Sequence, residues 1–138
     1  MFLDASVIVA ILARESGSDE YENRLAASEG PFFLSPLVKF EASVALARLR
    51  SPGGRTSVET IRRAARAVEA FVEDIAAEEI AISPEIGRGA LEAAAIYGKA
   101  VGHAASLNFG DCYSYACAKS LKVPLLYKGD DFSLTDLA

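Results

Sequence analysis

Acidic residues occupy four places in this chain where an ordinary surface carboxylate is not expected. Asp4 follows an apolar start, Glu41 interrupts the apolar face of a predicted helix, and Asp111 stands where another helix begins. The adjacent Asp130 and Asp131 end an apolar run that is typical of a buried strand. Carboxylates gathered in one cleft raise one another's pKa unless they bind a cation. An all-oxygen ligand set favours Mg²⁺ or Mn²⁺ over zinc, so the pattern indicates metal-dependent phosphodiester chemistry.

Most of these acids also have a structural interpretation. Asp4 and Asp111 suit the N-cap of the helices that follow them, and Asp130 suits a turn. Ser6 and Ser114 follow the two aspartates, and their hydroxyl groups are placed either to orient a carboxylate or a water, or to begin a helix. The sequence leaves a functional and a structural role open at these positions.

Glu41 is the acid whose position is hardest to explain by structure alone. It lies within the apolar arc of its predicted helix, where a carboxylate is costly unless it is paired or binds a metal. The structural alternative is a buried salt bridge with Lys39 or Arg48.

Other catalytic groups are scarce. His103 is the only histidine, and it belongs to no recognisable nucleophile pattern, so hydrolytic triads and zinc sites are not favoured. Cys112 and Cys117 lie too far around one predicted helix for a local disulfide, which indicates buried thiols in a reducing cytoplasm. No apolar run reaches the roughly 18 residues of a membrane span, and Asp4 interrupts what would be the apolar region of a signal peptide.

The charge is unevenly distributed. The net charge is −5, yet residues 39–66 hold seven basic and two acidic residues. On a helix wheel, Arg55, Arg62 and Arg66 fall close together and form a stripe suited to RNA phosphates or to an acidic partner. Ion pairs with glutamates of the same helix are the structural alternative.

The predicted elements alternate between short apolar strands and helices. This order indicates one domain over residues 1–138, with a parallel sheet covered on both faces. Ligands of such sheets bind beyond the carboxyl ends of the strands, where Asp4 and the Asp130–Asp131 pair would lie. Strands are predicted at 1–3, 32–34, 78–82 and 123–127, with an edge strand at 132–138, and helices at 6–12, 19–27, 36–50, 56–74, 84–97 and 112–121.

Four motifs occur in order along the chain. They are Leu3-Asp4-Ala5-Ser6, then Ser35-Pro36 followed by Glu41, then Asn-Phe-Gly-Asp-Cys-Tyr-Ser-Tyr-Ala at 108–116, and Leu-Leu-Tyr-Lys-Gly-Asp-Asp-Phe-Ser-Leu-Thr-Asp at 125–136. Together they resemble a PIN-domain ribonuclease of the VapC toxin type. The resemblance covers the whole chain.

The resemblance implies an α/β fold, a three-layer α/β/α sandwich around a mainly parallel sheet of four or five strands. It also implies endonucleolytic cleavage of RNA that depends on Mg²⁺ or Mn²⁺, in which a metal-activated water leaves a 5′-phosphate and a 3′-hydroxyl. Asp4, Glu41 and Asp111 match the metal-site acids of the family. For the fourth acid, Asp130 is favoured slightly over Asp131, which suits the cap of the following turn.

The resemblance further implies a cognate VapB-like antitoxin. We expect a homodimer and a hetero-oligomeric complex with that antitoxin, and no membrane partner. Two other functions stay open at this point: a catalytically silent interaction module, and an acidic-cluster phosphotransfer domain similar to a receiver. The receiver-like alternative is weakened because Asp4 stands alone at the end of the first strand, where such domains carry an acidic pair.

Overall fold

Four short parallel strands form the centre of the protein, in the order β3-β2-β1-β4. The computed structural model describes residues 1–137. The strands are β1 (Phe2–Leu3), β2 (Phe33–Leu34), β3 (Glu78–Glu79) and β4 (Leu125–Leu126). The helices are α1 (Ala5–Leu12), α2 (Ser18–Ala26), α3 (Pro36–Leu49), α4 (Val58–Asp74), α5 (Pro84–Tyr97) and α6 (Phe109–Leu121), with 3₁₀ turns at Lys99–Val101 and Asp131–Leu134.

The sheet separates two apolar cores. Phe2 and Leu125 belong to a core that includes residues of α5 and α6, whereas Leu3 and Leu126 belong to a second core with residues of α1 and α2. Because successive strand residues face opposite sides of a sheet, helices cover both faces. Complete burial of each of these side chains contributes about 1.5–3 kcal/mol to folding. The predicted three-layer α/β fold with a parallel sheet is confirmed.

The starts of three helices follow directly from the sequence. The side chains of Ser35, Ser57 and Ser83 accept hydrogen bonds from backbone N–H groups in the first turns of α3, α4 and α5. Proline at the first position of α3 and α5 has no N–H to lose and a φ angle already suited to a helix.

The predicted edge strand at 132–138 is wrong within the described residues. Asp131–Leu134 forms a 3₁₀ turn instead, and the four strands above are the whole sheet of residues 1–137. The reason is Phe132, which is buried in the core and packs on Tyr127 with ring centroids 4.9 Å apart. A turn buries this ring where an edge strand would extend past the core. Position 138 lies outside the described residues.

Two smaller expectations concern the thiols and membranes. Cys112 and Cys117 are buried free thiols, as predicted. Across residues 1–137, the helices include none with the length and apolar character needed to cross a membrane.

Candidate functional site

Asp4 lies at the carboxyl end of the central strand and is only 5% exposed. Its Oδ2 accepts hydrogen bonds from the backbone N–H of Ser6 at 2.9 Å and from the Ser6 hydroxyl at 2.6 Å. Its Oδ1 accepts from the Ser114 hydroxyl at 2.7 Å, across 110 positions of sequence. Asp4 is therefore the N-cap of α1, which agrees with its structural interpretation. Its two carboxylate oxygens also accept hydrogen bonds from two different hydroxyl groups.

Asp111 is not an N-cap. Asn108 caps α6, and its side chain accepts from the Asp111 N–H at 3.1 Å. The Asp111 Oδ2 accepts in return from the Asn108 N–H at 2.8 Å, which completes a capping box. Burial raises the pKa of Asp111 to about 6, although the hydrogen bond from Asn108 lowers it. The charges of Asp4 and Asp131 contribute to the increase.

Glu41 has no ion pair among the salt bridges of residues 1–137. Lys39, one of its expected partners, instead binds Glu69 and Glu79, with Nζ–Oε2 distances of 2.5 and 2.8 Å. Burial raises the pKa of Glu41, and the charges of Asp4 and Asp111 raise it as well. The buried salt bridge proposed as its structural role is absent there.

Gly110 makes room for the Glu41 carboxylate. A Cβ atom at Gly110 would lie 2.8 Å from the Glu41 Cδ and would overlap one of its carboxylate oxygens. The start of α6 therefore approaches α3 closely enough to place Glu41 beside Asp111. A side chain at position 110 would displace the Glu41 carboxylate from this place.

The acids meet at one open cavity of about 310 Å³. It lies where the carboxyl ends of β1 and β4 meet α1, α3 and α6. Asp131 lines this cavity, whereas Asp130 does not. The lining consists of Asp4, Ala5, Ser6, Val9, Glu15, Glu41, Ala45, Asn108, Asp111, Lys128, Asp131 and Phe132.

The family is decided by comparison of sequences. The family model described as PIN domain matches residues 1–137. The chain belongs to the PIN-domain family. It is 48% identical over 139 residues to a VapC ribonuclease of Rhizobium meliloti, covering 99% of this chain and 98% of that protein. It is 34% identical over 137 residues to ribonuclease VapC42 of Mycobacterium tuberculosis, covering 99% and 96% respectively.

Solved structures share the PIN fold. The crystal structure of Mycobacterium tuberculosis VapC20, a toxin that cleaves the sarcin–ricin loop, matches with a TM-score of 0.67 at 23% identity. That match covers 96% of this chain and 92% of VapC20. A toxin–antitoxin complex from Klebsiella pneumoniae gives a TM-score of 0.66 at 16% identity, covering 99% and 92%. The resemblance drawn from the four motifs is confirmed, and the family assignment replaces the receiver-like alternative.

The donor atoms of this PIN-domain cavity suit a hard divalent cation. They are carboxylate oxygens. Burial raises the pKa of Glu41 and of Asp111, and the charges of neighbouring acids raise both further, so a bound cation would favour their ionised forms. Within residues 1–137, no three His, Cys, Asp or Glu side chains converge tightly enough to form a ready ligand cluster. Both oxygens of Asp4 already accept hydrogen bonds. This arrangement fits Mg²⁺, which keeps several of its own waters and needs few direct protein ligands.

The predicted arginine stripe lies outside the cavity lining. Arg55 precedes α4, so the helix wheel does not extend to it. Arg66 binds Glu59 at 3.2 Å, and Arg63 binds the same carboxylate at 3.3 Å. Arg62 is exposed. Intrahelical pairing therefore explains Arg66, and a role in RNA binding stays a prediction for this stripe.

Sequence reasoning missed four contributors to the site. Asn108 and Gly110 flank Asp111 within the third motif, and the Asn-x-x-Asp spacing is a recognisable helix-start signal. Lys128 and Glu15 line the cavity and form an ion pair with each other. Their positions are 113 residues apart, so no local pattern could have joined them.

Proposed function

We propose that this PIN-domain protein is a divalent-metal-dependent endoribonuclease that serves as the toxin of a type II toxin–antitoxin pair. The observation that carries the proposal is the meeting of Asp4, Glu41, Asp111 and Asp131 at one cavity. The 48% identity to a VapC ribonuclease over nearly the whole chain supports RNA as the substrate class. An interaction module without activity would gain nothing from bringing these like-charged acids together.

These four acids would hold Mg²⁺ or Mn²⁺ partly through the waters that such an ion keeps. When bound, the ion supplies Lewis acidity toward a phosphate and lowers the pKa of a bound water. The chain itself fixes the acids. Hydroxyl groups of Ser6 and Ser114 hold the Asp4 carboxylate, and the capping box holds Asp111. Such outer hydrogen bonds orient carboxylates and reduce the rearrangement needed when a cation binds.

The fourth acid in this proposal is Asp131 rather than Asp130. Asp131 opens the 3₁₀ turn and lines the cavity, and its charge acts on Asp111. Asp130 precedes the turn and is not part of the cavity lining. We therefore propose Asp131 ahead of Asp130, the opposite of the order that the sequence favoured.

The test is cleavage of a defined RNA by the purified protein. We expect activity with Mg²⁺ and at least as much with Mn²⁺, little with Ca²⁺, and none in EDTA. Asp131→Asn should lower kcat by more than about 100-fold, since even outer hydrogen-bond partners of a metal site cost 10–100-fold. Asp130→Asn is the matched control and should stay within a few-fold of the parent. Cleavage that persists in EDTA, or equal loss in both variants, would refute this site.

An antitoxin and a second copy of the chain are the proposed protein partners. The relatives' VapC names and the toxin–antitoxin complex of similar fold support the first. An apolar cavity of about 570 Å³ lies between α5 and α6 and is lined in part by the exposed side chains of Leu91 and Phe109. This cavity supports contact with another protein on this side of the molecule. In this proposal the cavity acids of this chain carry out catalysis, and neither protein partner supplies a catalytic group.

A further inference from the structure

Lys128 is the only basic residue among those that line the acid cavity. Five carboxylates line the same space, namely the four proposed cation ligands and Glu15. A cation held by the four acids would leave Lys128 as the one protein cation facing an incoming polyanion there.

The backbone holds Lys128 at this place. Its N–H donates to the Ser6 hydroxyl at 3.0 Å, and that hydroxyl in turn donates to Asp4. Lys128 also stands two positions after β4 and three positions before Asp131. The lysine backbone is thus connected through the Ser6 hydroxyl to the cavity acid Asp4.

Glu15 is the ion-pair partner of the Lys128 ammonium group. Lys128 Nζ pairs with Glu15 Oε2, and the two side chains are 41% and 29% exposed. Ion pairs this open to solvent are weak, because water screens them and both side chains lose freedom when they pair. A phosphate oxygen makes a charge-assisted hydrogen bond with an ammonium group, so it is able to displace the glutamate.

We propose that Lys128 binds a phosphate of the RNA strand beside the cavity, and that Glu15 competes with that phosphate for the ammonium group. This inference rests on the proposed ribonuclease function. Glu15 then acts as an internal competitor: it keeps the lysine over the cavity when RNA is absent and weakens RNA binding. The two members of one ion pair then have opposite effects on RNA affinity, and the effect of Glu15 depends on the presence of Lys128.

The experiment compares Lys128→Gln, Glu15→Gln and Lys119→Gln in the full chain. Lys119 is the matched control, because it forms a similarly exposed ion pair with Asp136 at 2.8 Å and lies outside the cavity. The readout is the affinity for a short fluorescein-labelled single-stranded RNA, measured by fluorescence anisotropy in Ca²⁺ over a range of salt concentrations. Cleavage in Mg²⁺ by the parent protein is measured separately.

Opposite shifts are expected for the two cavity variants. Lys128→Gln should weaken binding by about 3- to 10-fold and reduce the slope of log affinity against log salt by about 0.7, the value for one phosphate contact on a single strand. Glu15→Gln should tighten binding by about 2- to 5-fold. In the Lys128→Gln protein, Glu15→Gln should change RNA affinity less, because the ammonium group for which Glu15 competes is absent. Lys128→Arg should retain affinity, and Lys119→Gln should change neither quantity.

Two results would overturn the inference. One is a Lys128→Gln affinity and salt slope equal to those of Lys119→Gln. The other is weaker RNA binding in Glu15→Gln. This variant retains Lys128, so it tests the inference even if the Lys128→Gln protein does not fold. A parent protein that binds RNA with the expected variant pattern but does not cleave it would refute the proposed function alone.

Discussion

At the scale of single residues, Asp4 combines a structural and a chemical role. Its Oδ2 caps α1, while its Oδ1 is held by Ser114, which is only 2% exposed. Ser114→Ala should leave this carboxylate oxygen without its hydroxyl donor. We expect a loss of about 1–3 kcal/mol in stability from the unsatisfied charged acceptor, and about a 10-fold fall in kcat from the freed carboxylate.

Ser43→Ala provides the control for that prediction. Ser43 is also buried, and its hydroxyl donates to the Lys39 carbonyl at 2.6 Å, outside the cavity lining. Urea denaturation and RNA cleavage are measured for both variants. If both lose stability but neither loses activity, Ser114 supports the fold without orienting Asp4.

The raised pKa of Asp111 predicts a pH-dependent stability. The pKa of about 6 in the folded protein lies above the ordinary aspartate value of 3.8, so protonation favours the folded state. This contribution to stability is complete below about pH 4 and is lost as the pH rises through about 6. In EDTA, Asp111→Asn should therefore stabilise the protein at about pH 7 by on the order of 1–2 kcal/mol. The same variant should lose RNA cleavage.

Urea denaturation from about pH 4 to about pH 8 checks the sign of this effect. The gain in the free energy of unfolding should shrink toward zero at the acidic end, where the parent's Asp111 is already neutral. A gain that is constant across the range would show that helix propensity or packing, and not charge, is responsible.

At the scale of elements, Gly110 leaves room at the start of α6 for the Glu41 carboxylate of α3. Helix propensity alone would make Gly110→Ala stabilising by about 1 kcal/mol. Because the added methyl group overlaps the Glu41 carboxylate, which is the end of a flexible side chain, we expect that carboxylate to move and cleavage to fall by at least about 10-fold. Gly87→Ala in α5 is the control, since its new methyl group meets only the Tyr113 hydroxyl at 4.0 Å. The melting temperature should rise for Gly87→Ala with cleavage unchanged, whereas Gly110→Ala should lose cleavage without unfolding.

The elements that were predicted well carry their signals locally. Ser35 and Ser83 before proline mark helix starts through hydrogen bonds to residues three positions on, and these starts were found in sequence. The predicted start of α6 at 112 is three residues late, because Asp111 also has the residue type of a helix cap, whereas the cap is Asn108 three residues earlier. The 3₁₀ turn at Asp131–Leu134 depends on burial of Phe132 against the core, which a local pattern does not contain.

At the scale of the whole molecule, the sequence identified which acids were unusual but not how they meet. β1 and β4 are neighbours in the parallel sheet, so their ends bring Asp4 and Asp131 to one cavity, whereas Asp130 lies outside its lining. The choice between Asp130 and Asp131 depends on the direction in which the chain turns after β4. Likewise, the Lys128–Glu15 pair joins two segments that only the tertiary fold places together.

Charge asymmetry at this scale keeps the arginine stripe a candidate RNA track. The buried cluster of Leu46, Ala47 and Ala64 packs against Leu12, so part of α4 lies near the end of α1 that leads to Glu15.

Arg55→Glu combined with Arg62→Glu tests this track, and it leaves the Arg66–Glu59 pair in place. Lost phosphate contacts should weaken RNA binding for all sequences and reduce the salt slope by about 0.7 for each contact on a single strand. Cleavage positions should not move, because phosphate contacts position the substrate without reading its bases. Arg88→Glu combined with Lys122→Glu makes the same change in net charge on exposed residues outside α4. Equal weakening of RNA binding in both double variants would assign the effect to overall charge. An unchanged salt slope in the Arg55→Glu, Arg62→Glu variant would show that these arginines form a solvated surface without RNA contacts.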